Sequence, residues 1–288
     1  MSWIQKILPH TQTSTKGNVP EGIWTKCGSC QAVLYKNELE KLLEVCPKCD
    51  NHMRISARRR LDSFLDKNDR KELGANFEPQ DILKFKDSKR YKDRISAAQK
   101  STSEKDALIA MQGKLKGMPV AAVSFEFAFM GGSMGAIVGE RFVRAANVAL
   151  EQRCPLVCFA ASGGARMQEA LISLMQMAKT VTAANRLREK QVPFIVVLAN
   201  PSTGQAYASF ANLGDIIIAE PGSLIGLSPL RTLREVSKTP LPLDAHTAEA
   251  HLGHGLLDNV VDREALQPRL SILLQILTAK KHSNGNLK

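Results

Sequence analysis

Histidine is missing from the middle of this 288-residue chain. The six histidines lie at positions 10, 52, 246, 251, 254 and 282, so none falls between residues 53 and 245. A Ser-His triad needs an imidazole within reach of its nucleophile, which disfavours such a triad in that stretch. The chain also lacks a G-x-x-x-x-G-K-[ST] loop, and no G-x-G-x-x-G follows a predicted strand, so P-loop and dinucleotide sites are disfavoured.

Long apolar runs are absent as well. No run approaches the roughly 18 residues that a membrane-spanning helix requires. The first ten residues have a short apolar part and no small-residue cleavage site, which predicts no secretory signal. We therefore expect a soluble, cytoplasmic protein, in a compartment where disulfide bonds are rare.

Acidic residues are the scarcer charged type, with 28 Asp and Glu against 39 Lys and Arg, for a formal charge of +11. Residues 1–100 hold 20 basic and 13 acidic residues, an excess of seven. A basic segment attracts polyanions without identifying them. Aromatic residues near the basic cluster are limited to Trp24 and Tyr35, so base stacking is poorly supported. Nucleic-acid binding is possible here but is not favoured.

The order of predicted elements indicates an α/β fold. From residue 106 onward, short segments rich in Val, Ile, Ala and Phe alternate with helical segments, which is typical of α/β layers. The predicted strands are Ala107–Met111, Pro119–Phe127, Leu156–Ala160, Phe194–Leu198 and Ile216–Ile218. The predicted helices are Ala136–Gln152, Met167–Lys190 and Tyr207–Leu213.

Composition divides the chain into four stretches. Residues 1–22 are polar and predict a flexible arm, and residues 23–52 form a cysteine-containing module. Residues 53–105 are predicted to be a helical connector, and residues 106–288 the main domain. The small module is too short to bury a sufficient hydrophobic core, so it needs a cross-link or a bound metal to be stable.

Four cysteines in the module are candidates for this stabilising role. Cys27, Cys30, Cys46 and Cys49 form two C-x2-C pairs separated by 15 residues, a spacing that predicts a zinc ribbon. Four protein ligands leave no open coordination position, so we expect one structural Zn²⁺ per chain. Cys154 and Cys158 lie in an apolar strand and are interpreted as buried small hydrophobic residues.

Glycine-rich loops follow three of the predicted strands, at Met130–Gly135, Ser162–Ala165 and Ser202–Gln205. Backbone N–H groups in such loops can point into a cleft, and a following helix N-terminus favours negative charge. These loops could therefore stabilise an oxyanion such as the enolate of a thioester. Any single glycine pair could equally serve only a turn. The stripe Met167, Leu171, Leu174, Met175 and Ala178 has helical spacing and is interpreted as core packing.

Several long motifs resemble one known family. They are EGIWTKC at residues 21–27, LEVCPKC at 43–49, FEFAFMGGSMG at 125–135, ASGGARMQE at 161–169 and ASFA at 208–211. With these motifs the chain resembles the carboxyltransferase β subunit of bacterial acetyl-CoA carboxylase. The similarity is dense as far as Leu198 and resumes at Ala208.

The resemblance implies a ClpP/crotonase-like carboxyltransferase domain with an N-terminal zinc ribbon. It implies transfer of a carboxyl group from carboxybiotin to acetyl-CoA, which forms malonyl-CoA for fatty acid synthesis. The implied partners are a carboxyltransferase α subunit in an α2β2 complex, the biotin carboxyl carrier protein and biotin carboxylase. The implied catalytic residues are Gly163, Gly164 and Gly204. The implied substrate-binding residues are Gly131, Gly132, Ser133, Ser162 and Arg166.

Two departures from the family pattern leave alternatives open. The family has a Gly-Gly pair where this chain has Gly204-Gln205, and a residue with a Cβ is disfavoured at positive φ. Residues 226–231 differ as well, and the diverged segment contains His246, His251 and His254, interpreted as surface residues. The chain could be a specialised paralogue with altered acyl preference, decarboxylase activity or inhibitor resistance. The third alternative is a zinc-ribbon nucleic-acid binder.

Overall fold

The computed structural model describes residues 23–228, 233, 235, 236, 242 and 244–279. The predicted arm, residues 1–22, lies outside this part of the chain. Among the described residues, no helix combines the length and the apolar character that crossing a bilayer requires.

The described elements alternate as the sequence predicts. The strands are β1 Trp24–Lys26, β2 Val33–Tyr35, β3 Lys71–Glu72, β4 Leu108–Leu115, β5 Met118–Phe125, β6 Leu156–Ser162, β7 Phe194–Thr203, β8 Ile216–Ala219, β9 Ile225–Gly226 and β10 Asn259–Val260. The helices are α1 Lys36–Lys41, α2 Ala57–Phe64, α3 Tyr91–Thr102, α4 Ala136–Gln152, α5 Ala170–Glu189, α6 Ala248–Gly253 and α7 Arg263–Thr278.

Eight of the strands form one sheet, in the order β10-β8-β7-β6-β5-β4-β3, with β9 paired to β7. The strands from β5 to β10 pair in parallel, whereas β3, β4 and β5 pair antiparallel. Carboxyl ends of parallel strands meet at one edge of a sheet, where ligands of α/β proteins commonly bind. The three glycine-rich loops all leave the sheet at this edge.

Helices cover both faces of the sheet because the inner strands are apolar on both sides. Along β6, Cys158 points into the core under α4 and α5, and Phe159 into the core under α2 and α7. Such continuous burial is typical of parallel strands inside α/β proteins. Cys154 and Cys158 are both buried, which confirms their interpretation as core residues.

The cysteine module is a small unit built from the antiparallel pair β1–β2 and α1. A buried charge cluster joins it to the large sheet. Glu220, directly after β8, accepts hydrogen bonds from Arg60 of α2 (2.5 Å) and from Arg263 of α7 (2.7 and 2.8 Å). Arg263 also donates to the carbonyl oxygens of Leu43 (2.6 Å) in the module and of Met53 (3.0 Å) directly after it. The module is thus held in a fixed position on the sheet.

Three details of the predicted elements are wrong. Only Phe210–Leu213 of the predicted helix Tyr207–Leu213 is helical, as a single 3-10 turn. The helix predicted to begin at Met167 begins at Ala170, after a separate 3-10 turn. The connector is not continuously helical, since β3 and irregular chain separate α2 from α3.

Candidate active site

The four cysteines predicted to bind zinc come together. Their Sγ atoms all lie within 4.8 Å of one another, with Cys27 to Cys49 at 3.7 Å and Cys30 to Cys46 at 3.8 Å. Zn–S bonds of about 2.3 Å in a tetrahedron place sulfur atoms about 3.8 Å apart, so the arrangement fits Zn²⁺. Among the described residues, this is the one group of three or more Cys, His, Asp or Glu side chains arranged to hold a metal.

The four thiols shift one another's pKa values. Burial acts to raise the pKa of Cys27, but the backbone N–H groups of Cys30 and Ser29, with the thiols of Cys49 and Cys46, lower it to about 6. For Cys30 a backbone hydrogen bond at Ala32 acts to lower the pKa, but the neighbouring thiols and burial raise it to about 12. Thiolates, not thiols, are metal ligands. With four protein ligands, the site would be structural, as the sequence predicts.

The first two glycine-rich loops are hydrogen-bonded to each other. The Gly163 N–H donates to the Gly131 carbonyl at 2.9 Å, and the Met134 N–H donates to the Gly164 carbonyl at 2.8 Å. Gly132 has φ +64°, and a Cβ placed on it would overlap the carbonyl oxygen of Ala161. Glycine is therefore required at this contact by conformation and by space.

The third loop meets the second at the ends of β6 and β7. Gly164 has φ +115° and Gly204 has φ +62°. A Cβ placed on Gly204 would lie 3.1 Å from the Gly164 Cα. The Gly204 N–H is itself engaged, donating to the Gly226 carbonyl of β9 at 3.0 Å. The predicted catalytic residues Gly164 and Gly204 are thus neighbours in space.

The amides predicted as oxyanion donors nevertheless face inward. The N–H of Gly163 is taken by Gly131, that of Gly204 by Gly226, and that of Gly164 by the Ser162 hydroxyl at 3.1 Å. Within the described part of the chain, the junction's N–H groups at Ala165 and Gln205 donate no hydrogen bond. The three predicted glycines shape the junction here, and the next residues along the chain carry the unengaged donors.

Gln205 is accommodated without backbone strain, contrary to the sequence expectation. The positive φ in this loop belongs to Gly204, and Gln205 is not among the residues with positive φ. Its side chain is buried and its Nε2 donates to two carbonyl oxygens of α5, Ser173 at 2.5 Å and Leu174 at 3.2 Å. The substituent that replaces the family's second glycine therefore lies against a helix.

Arg166, predicted to bind substrate, is completely buried. Its guanidinium forms a bidentate pair with Asp106 at 2.6 and 2.8 Å and donates to the Ser133 carbonyl at 2.8 Å. Burial acts to lower the pKa of Arg166, but the Asp106 carboxylate outweighs it, and the pKa is raised. The charged guanidinium of Arg166 therefore holds the loop that contains Ser133 against the loop that contains Ala165.

The two serines predicted to bind substrate also make internal contacts. The Ser162 hydroxyl donates to the Gly132 carbonyl at 2.7 Å, and Ser133 Oγ accepts from Arg166 Nε at 3.2 Å. Both side chains are buried. Their predicted contact with substrate remains a prediction, whereas their contacts with the loops are part of this structure.

Sequence reasoning missed three buried polar residues behind the junction. Asp106 pairs with Arg166, and Tyr91 donates through its hydroxyl to Glu169 at 2.6 Å. The other Glu169 oxygen accepts the N–H of Ala136, the first residue of α4, at 2.6 Å. Glu169 lies within the motif ASGGARMQE, whereas nothing in sequence spacing links Asp106 or Tyr91 to the loops.

An open cavity of about 610 Å³ adjoins the junction. Its lining includes Met130, Ser133, Ala165 and Met167 from the loops. From just before and within α3 it includes Lys89, Asp93 and Arg94. The cavity therefore brings charged residues near α3 together with the loop that contains Ala165.

In the described part of the diverged segment, His246, His251 and His254 belong to no group of three or more side chains placed to hold a metal. His246 covers Gly226, with its Nδ1 2.9 Å from the Ile225 carbonyl oxygen. His251 is buried, contrary to the surface interpretation, and burial lowers its pKa, whereas His254 is exposed.

Comparison with known proteins identifies the family of this chain. The model described as "Carboxyl transferase domain" matches residues 75–265, more than half of the chain. The chain belongs to the carboxyl transferase domain family. The model described as "Acetyl-CoA carboxylase zinc finger domain" matches residues 24–49, which include all four cysteines. The crotonase-like fold class and the zinc ribbon predicted from the sequence are confirmed.

Solved structures agree with this membership. The carboxyl transferase domain is similar to transcarboxylase 12S with methylmalonyl-coenzyme A and methylmalonic acid bound, at 28% identity and a TM-score of 0.66. That match covers 77% of this chain and 41% of the transcarboxylase chain, so this chain spans less than half of that relative.

Two further matches agree in fold. A Pseudomonas malonate decarboxylase hetero-dimer matches at 21% identity and a TM-score of 0.61, covering 77% of this chain and 86% of the other. The β subunit of P. aeruginosa geranyl-CoA carboxylase matches at 20% identity and 0.60, covering 82% and 41%.

Proposed function

We propose that this carboxyl transferase domain is the β subunit of an acetyl-CoA carboxylase carboxyltransferase. It would take part in moving a carboxyl group from carboxybiotin to the methyl carbon of acetyl-CoA, forming malonyl-CoA. The observation that carries the proposal is the junction of two glycine loops at the ends of β6 and β7, where the amides of Ala165 and Gln205 are unengaged. The acetyl-CoA carboxylase zinc finger match supports acetyl-CoA over other thioesters.

The junction suits stabilisation of an enolate. Removing a proton from the methyl carbon of a thioester places negative charge on the carbonyl oxygen, and backbone N–H donors fixed at that oxygen lower the barrier. One such donor contributes about 2.7–4 kcal/mol of transition-state stabilisation. Ala165 and Gln205 would supply the donors, and Gly163, Gly164 and Gly204 would hold them in place.

Among the described residues, the titratable side chains directly behind the junction are paired with one another and are not placed to act as the base in this step. Arg166, Asp106, Glu169 and Tyr91 are buried behind the junction and bonded to one another. Carboxybiotin on a carrier protein would supply the CO₂ and take up the methyl proton. The site's own contribution is to orient the thioester and to exclude water from it.

The cavity beside α3 is suited to the coenzyme. Lys89 and Arg94 line the same cavity as Met130 and Ala165, together with Asp93, which is paired with Arg90, and coenzyme A carries several phosphate charges. Arg94 is paired with Asp87 at 2.7 Å, which leaves Lys89 as the more available cation. The thioester would then lie at Ala165, with the phosphates toward α3.

An exposed apolar surface along α5 and the turn before it is suited to a partner subunit. Met167 of the 3-10 turn and Leu171, Leu174 and Met175 of α5, together here named the α5 face, are 76, 67, 53 and 61% exposed. Their interpretation as core packing is therefore wrong, since this apolar stripe points outward. A contiguous apolar stripe of this kind marks an interaction surface. Met167 also lines the cavity at Ala165, so a partner on the α5 face would border the active site.

We assign that surface to the carboxyltransferase α subunit, in an α2β2 complex served by biotin carboxylase and the biotin carboxyl carrier protein. The neighbouring structures described as a hexamer and as hetero-oligomers are consistent with a partner subunit.

Reconstitution tests the proposal. The chain is mixed with the α subunit of the same source, and malonyl-CoA formation from acetyl-CoA is followed by mass spectrometry, with carboxylated biotin carrier protein as donor. Propionyl-CoA serves as the competitor, because one methylene alters selectivity by about 10–200-fold. We expect turnover only with both subunits and preference for acetyl-CoA. A stable complex without turnover would exclude the proposal, and preference for propionyl-CoA would exclude its acetyl specificity.

A further inference from the structure

The side chain of Gln205 links the catalytic junction to α5. Its carboxamide is buried, and Nε2 donates to the carbonyl oxygens of Ser173 and Leu174. The orientation of the carboxamide is fixed by chemistry, because a carbonyl oxygen facing two other carbonyl oxygens would be repelled. The link therefore depends on a donor at this position, which neither glycine nor an apolar side chain can provide.

The turn of α5 that Gln205 contacts has two different sides. On the inner side, Ser173 is buried and Gln205 reaches its carbonyl group. On the outer side of the same turn are Leu171, Leu174 and Met175 of the α5 face. A partner that docks on the outer side thus contacts the turn whose backbone Gln205 holds from within.

The backbone of Gln205 belongs to the catalytic junction. Its N–H is one of the two unengaged amides, and a Cβ placed on Gly164 would lie 3.4 Å from its nitrogen. Oxyanion donors act at about 2.7–3.1 Å from the oxygen, so small displacements of such an amide change the rate. Side-chain and main-chain atoms of one residue thus connect the α5 turn to the junction where the thioester oxygen would lie.

We propose that Gln205 is a positioning residue that sets its own backbone N–H relative to α5, so that docking of the partner on the α5 face fixes this donor for catalysis. This inference rests on the proposed function and explains why Gln is compatible with catalysis where the resembling family has glycine. According to this proposal, catalysis depends on assembly because the hydrogen-bonded side chain of Gln205 links the partner's docking surface to the junction.

The test is the Gln205→Met variant in the reconstituted complex. Methionine keeps the length and the apolar stem but loses the donor. We expect the affinity for the α subunit, measured by calorimetry, to change less than 3-fold. We expect kcat to fall 10-fold or more, with the KM for acetyl-CoA changed less than 3-fold, because the donor acts mainly in the transition state.

Gln176→Met is the matched control. Gln176 is a buried glutamine of the same helix, and its Nε2 donates to the Ile172 carbonyl at 2.8 Å. Its carboxamide packs against Gly139 of α4, away from the junction. Gln205→Met loses two side-chain hydrogen bonds and Gln176→Met loses one, so the melting temperature of Gln176→Met should fall by no more than that of Gln205→Met. We expect kcat of the Gln176→Met complex to stay within 3-fold of the unsubstituted complex.

Hydrogen exchange separates this inference from the proposed function. The peptide spanning residues 202–209 should become at least 5-fold better protected when the α subunit binds, and this gain should be lost in Gln205→Met and kept in Gln176→Met. If the complex turns over but Gln205→Met retains kcat and protection, the inference is overturned and the proposed function stands. If both variants lose kcat equally, the role is only structural and the inference is again overturned. If the unsubstituted chain neither assembles nor turns over, both are overturned.

Discussion

Replacing Glu220 by glutamine should release the zinc ribbon from the sheet. The carboxylate is fully buried and accepts hydrogen bonds from Arg60 and Arg263. Burial acts to raise its pKa, but the charge of Arg60 and the hydrogen bond from Arg263 hold the pKa well below the ordinary value of 4.5. The Glu220→Gln change leaves two buried guanidinium groups without a countercharge.

The expected loss is about 3–5 kcal/mol of unfolding free energy, the usual effect of removing one partner from a buried ion pair. For a chain of this size each kcal/mol shifts the melting temperature by roughly 2–4 °C, so a fall of roughly 6–20 °C is expected at pH 7. Because the folded pKa is depressed, the contribution of Glu220 is fully present above pH 4.5 and is lost as the pH falls through the folded pKa. The difference between the variant and the unsubstituted chain should therefore not shrink as the pH falls from 8 to 5.

Calorimetric melts across that pH range, with zinc present, provide the measurement. Glu78→Gln is the control, because Glu78 pairs with Lys105 in an exposed bridge at 2.8 Å and should cost about 1 kcal/mol or less. A loss below 1 kcal/mol for Glu220→Gln at pH 7, or a difference that shrinks steadily between pH 8 and 5, would refute the assignment of Glu220 as the charged anchor of the ribbon.

Three further predictions concern the metal, the glycine junction and the coenzyme. Purified chain should contain one zinc, and Cys46→Ser should lower the zinc content by metal analysis and make residues 23–52 sensitive to protease; full occupancy in this variant would contradict the ligand set. Gly132→Ala should lower the free energy of unfolding by well over 2 kcal/mol in denaturant melts, because a Cβ would overlap the Ala161 carbonyl. The control Gly117→Ala, at a position with positive φ but open space, should lower it by about 1 kcal/mol. Equal losses for the two variants would refute the close contact at Gly132. In the complex, Lys89→Ala should raise the KM for acetyl-CoA about 3–10-fold with kcat little changed, since a cation near coenzyme phosphates contributes mainly to binding; an unchanged KM would remove the phosphate assignment.

Periodicity and glycine placement were sufficient to predict the layers of the fold. Strands such as β6 are apolar on both faces, which distinguishes them from solvent-facing strands. The C-x2-C spacing predicted the metal site because all four ligands lie within 23 residues of one another. In both cases the information is local, so a single sequence is enough to recover it.

Other parts of the site were out of reach because their information is not local. The Arg166–Asp106 pair joins residues 60 positions apart, and no spacing rule connects them. The stripe through Leu171 and Met175 has the same period whether it faces a core or a partner, so periodicity could not show that it lies outside. The direction of the Gly163 and Gly164 amides depends on the neighbouring Gly131 loop, which is equally invisible in local sequence.

The contacts of Arg263 have a consequence for how the chain is made. The ribbon carbonyl of Leu43 is separated by 220 residues from the arginine that holds it. At about 5–20 residues per second, translation takes roughly 10–45 s to span that distance. Throughout that interval the nascent ribbon lacks the arginine that holds it to the finished sheet. We therefore expect metal binding to stabilise so small a unit on the ribosome before residue 263 is made.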